Sequence, residues 1–126
     1  MNEEANNLVL EVKEVKSVSN PNKNPAIAVL FRVSEGPLKG KISTKQYTLT
    51  QKAAWAIRNL GVACGFYSID ENGKKIVDDK FASNFKTAEG HFIMGDAKAN
   101  EWNGEVRIRI EKERELPQQG LSLIHI

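Results

Sequence analysis

The sequence has very few of the side chains that bind metals or form cross-links. Its 126 residues include one cysteine, Cys64, and two histidines, His91 and His125. A lone cysteine cannot form an internal disulfide, and this usage suits a reducing compartment. A metal site needs several His, Cys or carboxylate ligands at suitable spacing, which the sequence does not offer. We therefore expect a protein without a metal or another cofactor.

Signatures of catalysis are also missing. No glycine-rich phosphate loop precedes a predicted helix, because the glycines of residues 36–40 join two strands instead. A nucleophile and its base would have to be Cys64 and His91, a pair that no local motif supports. Cys64 has small and apolar neighbours, which is typical of a packing residue. The sequence therefore predicts that the protein is not an enzyme.

Long apolar runs and a secretion signal are absent as well. No apolar run approaches the roughly 20 residues of a transmembrane helix, and the first residues, MNEEANN, lack the basic start and apolar core of a signal peptide. Neither sign of charge dominates, since 18 Lys and Arg accompany 16 Asp and Glu, for a net charge of +2. We expect a soluble, cytoplasmic protein with no membrane partner, in which the distribution of charge matters more than its total.

The most strongly patterned stretch, residues 26–47, predicts two strands joined by a tight turn. In the first strand every second residue from 27 to 33 is apolar, as in a half-buried strand. The turn supplies two glycines for positive φ and a proline with fixed φ. In the second strand Ile42 and Thr44 continue the alternation on the buried face. The outer face is then predicted to carry a row of cations that ends in a ring: Lys41, Ser43, Lys45 and Tyr47.

Three further strands and two helices complete the prediction. The strands cover residues 8–16, 91–97 and 105–113, and the helices cover residues 51–60 and 78–85. Val15 falls out of step with its strand, which indicates a bulge or a bend. Thr48 or Thr50 can serve as the N-cap of the first helix, Thr48 has capping-box spacing with Gln51, and Gly61 is a plausible helix stop. Asn103-Gly104 is a strong hairpin signal, and Asn72-Gly73 marks another turn.

Three strands, a helical region and two more strands are the order of an OB-fold, a small Greek-key barrel. The predicted fold class is mainly β: a five-stranded OB-fold-like barrel with a helix between strands 3 and 4, forming one domain over residues 1–120. An open α+β sheet and an SH3-like barrel are the alternatives.

Residues 121–126, LSLIHI, match what a common sequencing-library transposon end encodes in one reading frame. We expect this tail to be adapter-derived and not native, the alternative being an apolar tail that docks on the domain.

The central turn carries a resemblance to a known family. The run FRVSEGPLKGK at residues 31–41 is followed by a polar strand and by a helix that ends in NLGV. This pattern resembles a phage-encoded family of small single-stranded-DNA-binding-like proteins, a domain of unknown function encoded near recombination and replication genes. Gly36, Pro37, Lys39 and Gly40 match the turn of that family, whereas Leu38 replaces its usual aromatic residue. The resemblance covers about residues 9–110 and implies a role in bacteriophage DNA replication or recombination, in the cytoplasm of an infected or lysogenic bacterial host.

A single-stranded nucleic acid needs cations spaced along a groove and exposed rings for its bases. Eight residues of the central strands, the last strand and the loop before it are candidates for these contacts. They are Arg32, Lys39, Lys41, Lys45, Tyr47, Trp102, Arg107 and Arg109. Phe31 and Phe92 are expected in the core, and Trp55 at its edge. The predicted function is non-sequence-specific binding of single-stranded DNA by a basic strand face with aromatic stacking. The alternative for the cations is a solvated strand face.

A second hypothesis is a phage accessory protein-interaction module that binds a replication, recombination or host-defence protein. Residues 62–85, which contain four aromatic side chains, would form its interface. A phage recombinase, helicase or nuclease is a candidate partner under either hypothesis. A barrel edge that could pair between subunits also leaves a homo-oligomer open.

Overall fold

A five-stranded antiparallel sheet forms the body of the protein. The computed structural model describes residues 2–19, 24–36 and 38–117, so Pro37 and the tail at residues 121–126 lie outside the described residues. The elements in chain order are β1 (Asn2–Ser19), β2 (Pro25–Glu35), β3 (Ile42–Thr48), α1 (Ala54–Ala63), β4 (Tyr67–Ile69), β5 (Lys75–Val77), α2 (Asp79–Ser83), a 3-10 turn (Phe85–Ala88), β6 (Phe92–Trp102) and β7 (Glu105–Arg114).

The strand order in this sheet is β3-β2-β1-β6-β7. Along the chain, α1 lies between β3 and β4. The sheet curls into a half-barrel, so that its two edge strands, β3 and β7, approach each other. The predicted fold class, mainly β and OB-like with a helix after the third strand, is confirmed. The short β4 and β5 form a separate hairpin around the predicted turn at Asn72-Gly73. No helix in the described part of the chain is long and apolar enough to cross a membrane.

Strand β1 serves both halves of the sheet because it bends at bulges. It pairs with β2 and with β6, and its register against β2 shifts between Val12 and Glu14. The shift leaves Lys13 as an extra residue and returns Val15 to the buried face, where it is 2% exposed. A bulge of this kind bends the strand and increases its twist. The bulge predicted from the parity of Val15 is therefore confirmed.

The core lies between the concave face of the sheet and the helices. Leu10, Val12 and Phe31 from the sheet pack in one cluster with Leu60 of α1 and Phe81 of α2. All five side chains are at most 1% exposed, and burying each one contributes roughly 1.5–3 kcal/mol. The helices thus cover the apolar face that the curled sheet would otherwise expose.

The sequence assigned the two faces of β3 the wrong way round. Tyr47, predicted on the outer face, is 2% exposed, while Ile42, predicted in the core, is 61% exposed. Strand alternation is present, but a shift of one residue exchanges the two faces. Ser43 and Lys45 share the inner face with Tyr47 because β3 is an edge strand, where polar groups on that face reach β7.

Helix α1 begins and ends later than predicted. Thr48 is the last residue of β3, and the N-cap of α1 is Ala53, which makes no side-chain cap hydrogen bond. Gly61 lies inside the helix and does not end it. A Cβ at Gly61 would lie 2.8 Å from two ring carbons of Phe81, so the glycine allows α2 to pack closely. The helix ends where the Phe66 N–H donates to the Gly61 carbonyl oxygen, as in a Schellman motif.

The β6–β7 connection is the predicted hairpin. Trp102 pairs with Glu105, which leaves the two-residue loop Asn103-Gly104. Both loop residues have positive φ, 51° and 81°, as a type I′ turn requires. At the other end of β6, Phe92 is 47% exposed, so its predicted burial is wrong. The next residue, Ile93, fills the core position instead.

Candidate nucleic-acid interface

The edge strands β3 and β7 meet along a seam that side chains close. Among the described residues no backbone hydrogen bond joins the two strands. The Ser43 hydroxyl donates to the Ile108 carbonyl oxygen at 2.7 Å, and Lys45 Nζ donates to the Ile110 carbonyl oxygen at 3.1 Å. Residue numbers rise together on both sides, so the two strands run parallel. The seam satisfies β7 carbonyls that an open sheet edge would leave to water.

A buried carboxylate fastens one end of this seam. Glu113, with a side chain only 6% exposed, accepts from Lys45 Nζ at 2.7 Å and from the Tyr47 hydroxyl at 2.5 Å. Burial raises the pKa of Tyr47 far above its usual value, and the negative charge of Glu113 raises it further. We call Lys45, Tyr47 and Glu113 the seam latch. Because Tyr47 is inside this latch, the prediction that its ring faces a ligand on the outer surface is wrong.

Two other predicted cations, Lys41 and Arg107, lie at the opposite end of the seam. Lys41 is two residues before Ser43, and Arg107 is one residue before Ile108. The two strands are parallel and in contact there, so Lys41 and Arg107 lie at the same end of the molecule. The side chains of Arg107 and Arg109 are 68% and 70% exposed, and Lys39 is also exposed. The structure therefore brings the two predicted rows to one seam. Arg109 lies one position further along β7, between the seam residues Ile108 and Ile110. We call these four exposed cations the seam-end cluster: Lys39, Lys41, Arg107 and Arg109.

Carboxylates neutralise some of the predicted cations. Arg109 lies 3.4 Å from Glu111, and Arg107 lies 3.8 Å from the exposed Glu105. Exposed ion pairs of this kind are weak and are easily exchanged for a ligand phosphate. Within the described residues, no ion pair joins Lys39 or Lys41 to a carboxylate.

Arg32 and Trp102 are separate from this cluster. Arg32 stands on the outer face of β2 and donates to Glu11 of the neighbouring strand at 3.1 Å. The backbone of Trp102 ends β6, and its side chain lies outside the described residues. The prediction of Trp102 as an exposed ring therefore stays a prediction.

Trp55, predicted at the edge of the core, is an exposed ring. Its side chain is 61% exposed on α1, so the prediction that it closes the edge of the core is wrong. Three residues further along the helix, Arg58 is also exposed. Residues three apart share a helix face, and the buried positions Ile57 and Leu60 belong to another face. The spacing of three residues between Trp55 and Arg58, out of step with the apolar positions, was the sequence signal that the ring is exposed.

Trp55 lies between two clefts. One, of about 780 Å³, extends along the seam latch and is lined by as many carboxylates as cations: Asp96, Glu111, Glu113, Lys45, Lys98 and Lys112. The other, of about 640 Å³, lies between α1 and β5. Only the second has an excess of positive charge. In the described part of the chain, no group of three or more His, Cys, Asp or Glu side chains is arranged to hold a metal ion.

The four aromatic side chains of the predicted protein interface at residues 62–85 are buried or half-buried. Phe81 is 1% exposed, and its ring centroid lies 5.6 Å from that of Phe66 and 5.2 Å from that of Phe85. The Tyr67 hydroxyl donates to Glu115 at 2.7 Å. What this segment exposes instead is apolar surface on its hairpin, since Ile69 is 62% exposed.

Searches with the sequence found no protein family model and no curated protein that matches the chain significantly.

Proposed function

We propose that this protein binds single-stranded DNA with little sequence preference. The OB-like half-barrel supports the proposal because folds of this class commonly bind oligonucleotides. The resemblance of the turn at residues 36–40 to a phage family supports a role in phage replication or recombination. The observation that carries the proposal is the seam-end cluster, in which cations from two distant parts of the sequence lie at one end of the molecule.

The chemistry of this cluster suits a phosphate backbone. A single strand that is bound without sequence preference is held by cations along its phosphates, and the affinity then falls as salt rises. Lys39 and Lys41 project from the turn before β3, and Arg107 and Arg109 from the outer face of β7. Lysine and arginine side chains here are long, exposed and held at most by weak pairs, so they can reorient towards phosphates. Lys45 does not belong to this set because it is part of the latch.

The test is fluorescence anisotropy with a labelled oligo-dT at about 50 and 200 mM salt. Wild-type protein should bind at the lower salt concentration and bind less tightly at the higher one. The double variant Lys41→Ala/Arg107→Ala should bind more weakly. The slope of its log affinity against log salt should be shallower by about 1.4, since each phosphate contact on a single strand contributes about 0.7.

The matched control is Lys16→Ala/Lys80→Ala, which removes the same charge from exposed positions outside the cluster. It should bind almost as tightly as wild type. Equal losses in the two double variants would mean that only net charge matters. No binding of wild type at the lower salt concentration would contradict the proposed function.

A protein-interaction module is the second candidate, favoured by one observation. The β4–β5 hairpin exposes two isoleucines, with Ile69 at 62% and Ile76 at 45%. The pairing of Ile69 with Lys75 and of Ser68 with Ile76 places the two isoleucines on opposite faces of the hairpin, so each would contribute singly to a protein contact. This candidate predicts no affinity for oligo-dT at any salt concentration, so the same titration separates the two functions.

A further inference from the structure

The solvent-facing side of α1 carries an aromatic ring among polar residues. The core side of the helix is buried through Ile57 and Leu60. The groove-facing residues recur at helical spacing on one stripe: Trp55, Arg58, Asn59 and Val62. A tryptophan that is 61% exposed gains little from packing in the folded protein. Its ring is therefore available for contact with a ligand.

The groove that this stripe forms with β5 is positively charged. Its other wall consists of residues 74–77, and its volume is about 640 Å³. The lining residues include three cations, Arg58, Lys74 and Lys75, and none of the lining residues is a carboxylate. Lys75 is partly neutralised, because its Nζ lies 3.6 Å from Glu115. Among the described residues, no carboxylate lies within ion-pair distance of Arg58 or Lys74.

A ring beside unneutralised cations fits a single-stranded nucleic acid better than a peptide. Bases stack on exposed aromatic faces without regard to sequence, while cations hold the neighbouring phosphates. Trp55 and Arg58 are three residues apart on the helix, so their Cβ atoms are about 5–6 Å apart. One nucleotide could therefore contact both side chains. An acidic peptide would use the cations but not the ring, and an apolar peptide would leave the cations unpaired.

The outer face of β2 and β3, where OB-folds commonly bind oligonucleotides, offers much less here. Its side chains are mostly uncharged: Ala28, Leu30, Arg32, Ile42, Thr44 and Gln46. The one cation among them, Arg32, donates to Glu11. This face has neither an exposed ring nor an unpaired charge. The groove beside α1 has both.

We propose that the groove between α1 and β5 holds the bases of the single strand, with Trp55 as the stacking ring and Arg58, Lys74 and Lys75 as phosphate contacts. The inference rests on the proposed function and assigns it a second contact surface besides the seam-end cluster. The single strand crosses Trp55, and the groove cations hold the phosphates on either side of the stacked base.

The test uses the intrinsic fluorescence of Trp55. The sequence contains two tryptophans, Trp55 and Trp102, so a Trp102→Phe background leaves Trp55 as the only reporter. Adding oligo-dT should quench its fluorescence at the concentrations at which anisotropy reports binding. Thymidine monophosphate at the same base concentration should not quench the fluorescence, because a single nucleotide lacks phosphates on both sides of its base. Equal quenching by the monophosphate would overturn the assignment to a polynucleotide.

Two variants then measure the contributions of the groove. Trp55→Ala should weaken oligo-dT binding about fivefold or more, with Phe92→Ala, which removes an exposed ring elsewhere, as its control. Arg58→Ala/Lys74→Ala should lower the salt slope by about 1.4, with Lys16→Ala/Lys80→Ala as its control. Because the substituted side chains are exposed, urea unfolding curves should match wild type and exclude misfolding as the cause.

The outcomes separate the two proposals. If the Trp102→Phe protein and wild type both bind no oligo-dT, the proposed function fails and the groove assignment fails with it. If oligo-dT binds, depends on Lys41 and Arg107, and leaves Trp55 fluorescence and the groove variants within twofold of their controls, only the groove assignment is overturned.

Discussion

The seam latch gives the most direct test of how this half-barrel is held together. Glu113 is the common acceptor for Lys45 and Tyr47, and it is almost fully buried at the edge between β3 and β7. The substitution Glu113→Ala removes both interactions at once. It leaves the backbone of β7 and the apolar core unchanged, so its effect reports on the latch.

The expected loss follows from the surroundings of the two donors. A hydrogen bond to a charged group contributes about 1.5–3 kcal/mol, and an unsatisfied buried hydroxyl costs about 1–3 kcal/mol. Tyr47, 2% exposed, would be left without its acceptor. Lys45 is 29% exposed and keeps the Ile110 carbonyl oxygen, so water replaces part of what it loses. We therefore expect Glu113→Ala to lower the free energy of unfolding by about 3–4 kcal/mol, out of roughly 5–15 kcal/mol for a typical domain.

The assay is urea unfolding followed by circular dichroism, combined with a double-mutant cycle. Tyr47→Phe alone should cost about 1–2 kcal/mol. In the Glu113→Ala background the same substitution should instead restore about 1–3 kcal/mol, because it removes the buried hydroxyl that has lost its acceptor. Glu113→Gln, which keeps an acceptor for Tyr47 but loses the charge, should fall between wild type and alanine. A Glu113→Ala protein as stable as wild type, or a Tyr47→Phe cost that is the same in both backgrounds, would refute the reasoning.

Three further predictions concern packing, pH and thiol chemistry. Gly61→Ala should be destabilising by about 1–2 kcal/mol in thermal unfolding: helix propensity favours alanine by about 1 kcal/mol, but overpacking against the buried Phe81 ring costs more. The Val15 N–H and Lys86 lower the pKa of Glu89, so its contribution to stability is present above pH 4.5 and is lost as the pH falls through the lower folded-state pKa. Glu89→Gln should therefore destabilise the protein more at pH 7 than in acid. Burial raises the pKa of Cys64 from 9.0 to about 12, so alkylation at pH 8 should be slow in the native protein and fast in urea; equal rates would contradict this burial.

Local patterns were sufficient to predict most of the fold. The bulge in β1 followed from the parity of Val15, and the β6–β7 hairpin followed from Asn103-Gly104, because each depends on a few neighbouring residues. The order of strands and helix then pointed to an OB-like arrangement before any contact was known. The positive φ values of Gly36 and Gly40, 109° and 89°, were also predicted from the turn sequence.

The errors in the sequence analysis arose where a distant residue decides the outcome. Gly61 resembled a helix stop because its neighbour Phe81, 20 residues away, was unknown. Tyr47 was assigned to the outer face because its partner Glu113 lies 66 residues further along the chain. Alternation gives the two faces of a strand, but only the position of the rest of the chain says which face is buried.

The inverted β3 also changes which of its cations can bind a ligand. A row with Lys41, Lys45 and Tyr47 on one outer face would have formed a continuous binding strip. In the structure Lys45 and Tyr47 are bonded to β7 within the seam. The exposed positive charge of this segment therefore lies ahead of the first seam bond, at Lys41 and in the turn. Among the described residues, two cations with no carboxylate within ion-pair distance, Arg58 and Lys74, lie on the far side of the latch, beside Trp55. A single strand bound by this protein would therefore contact surfaces on both sides of the latch, and the latch itself would fix the distance between them.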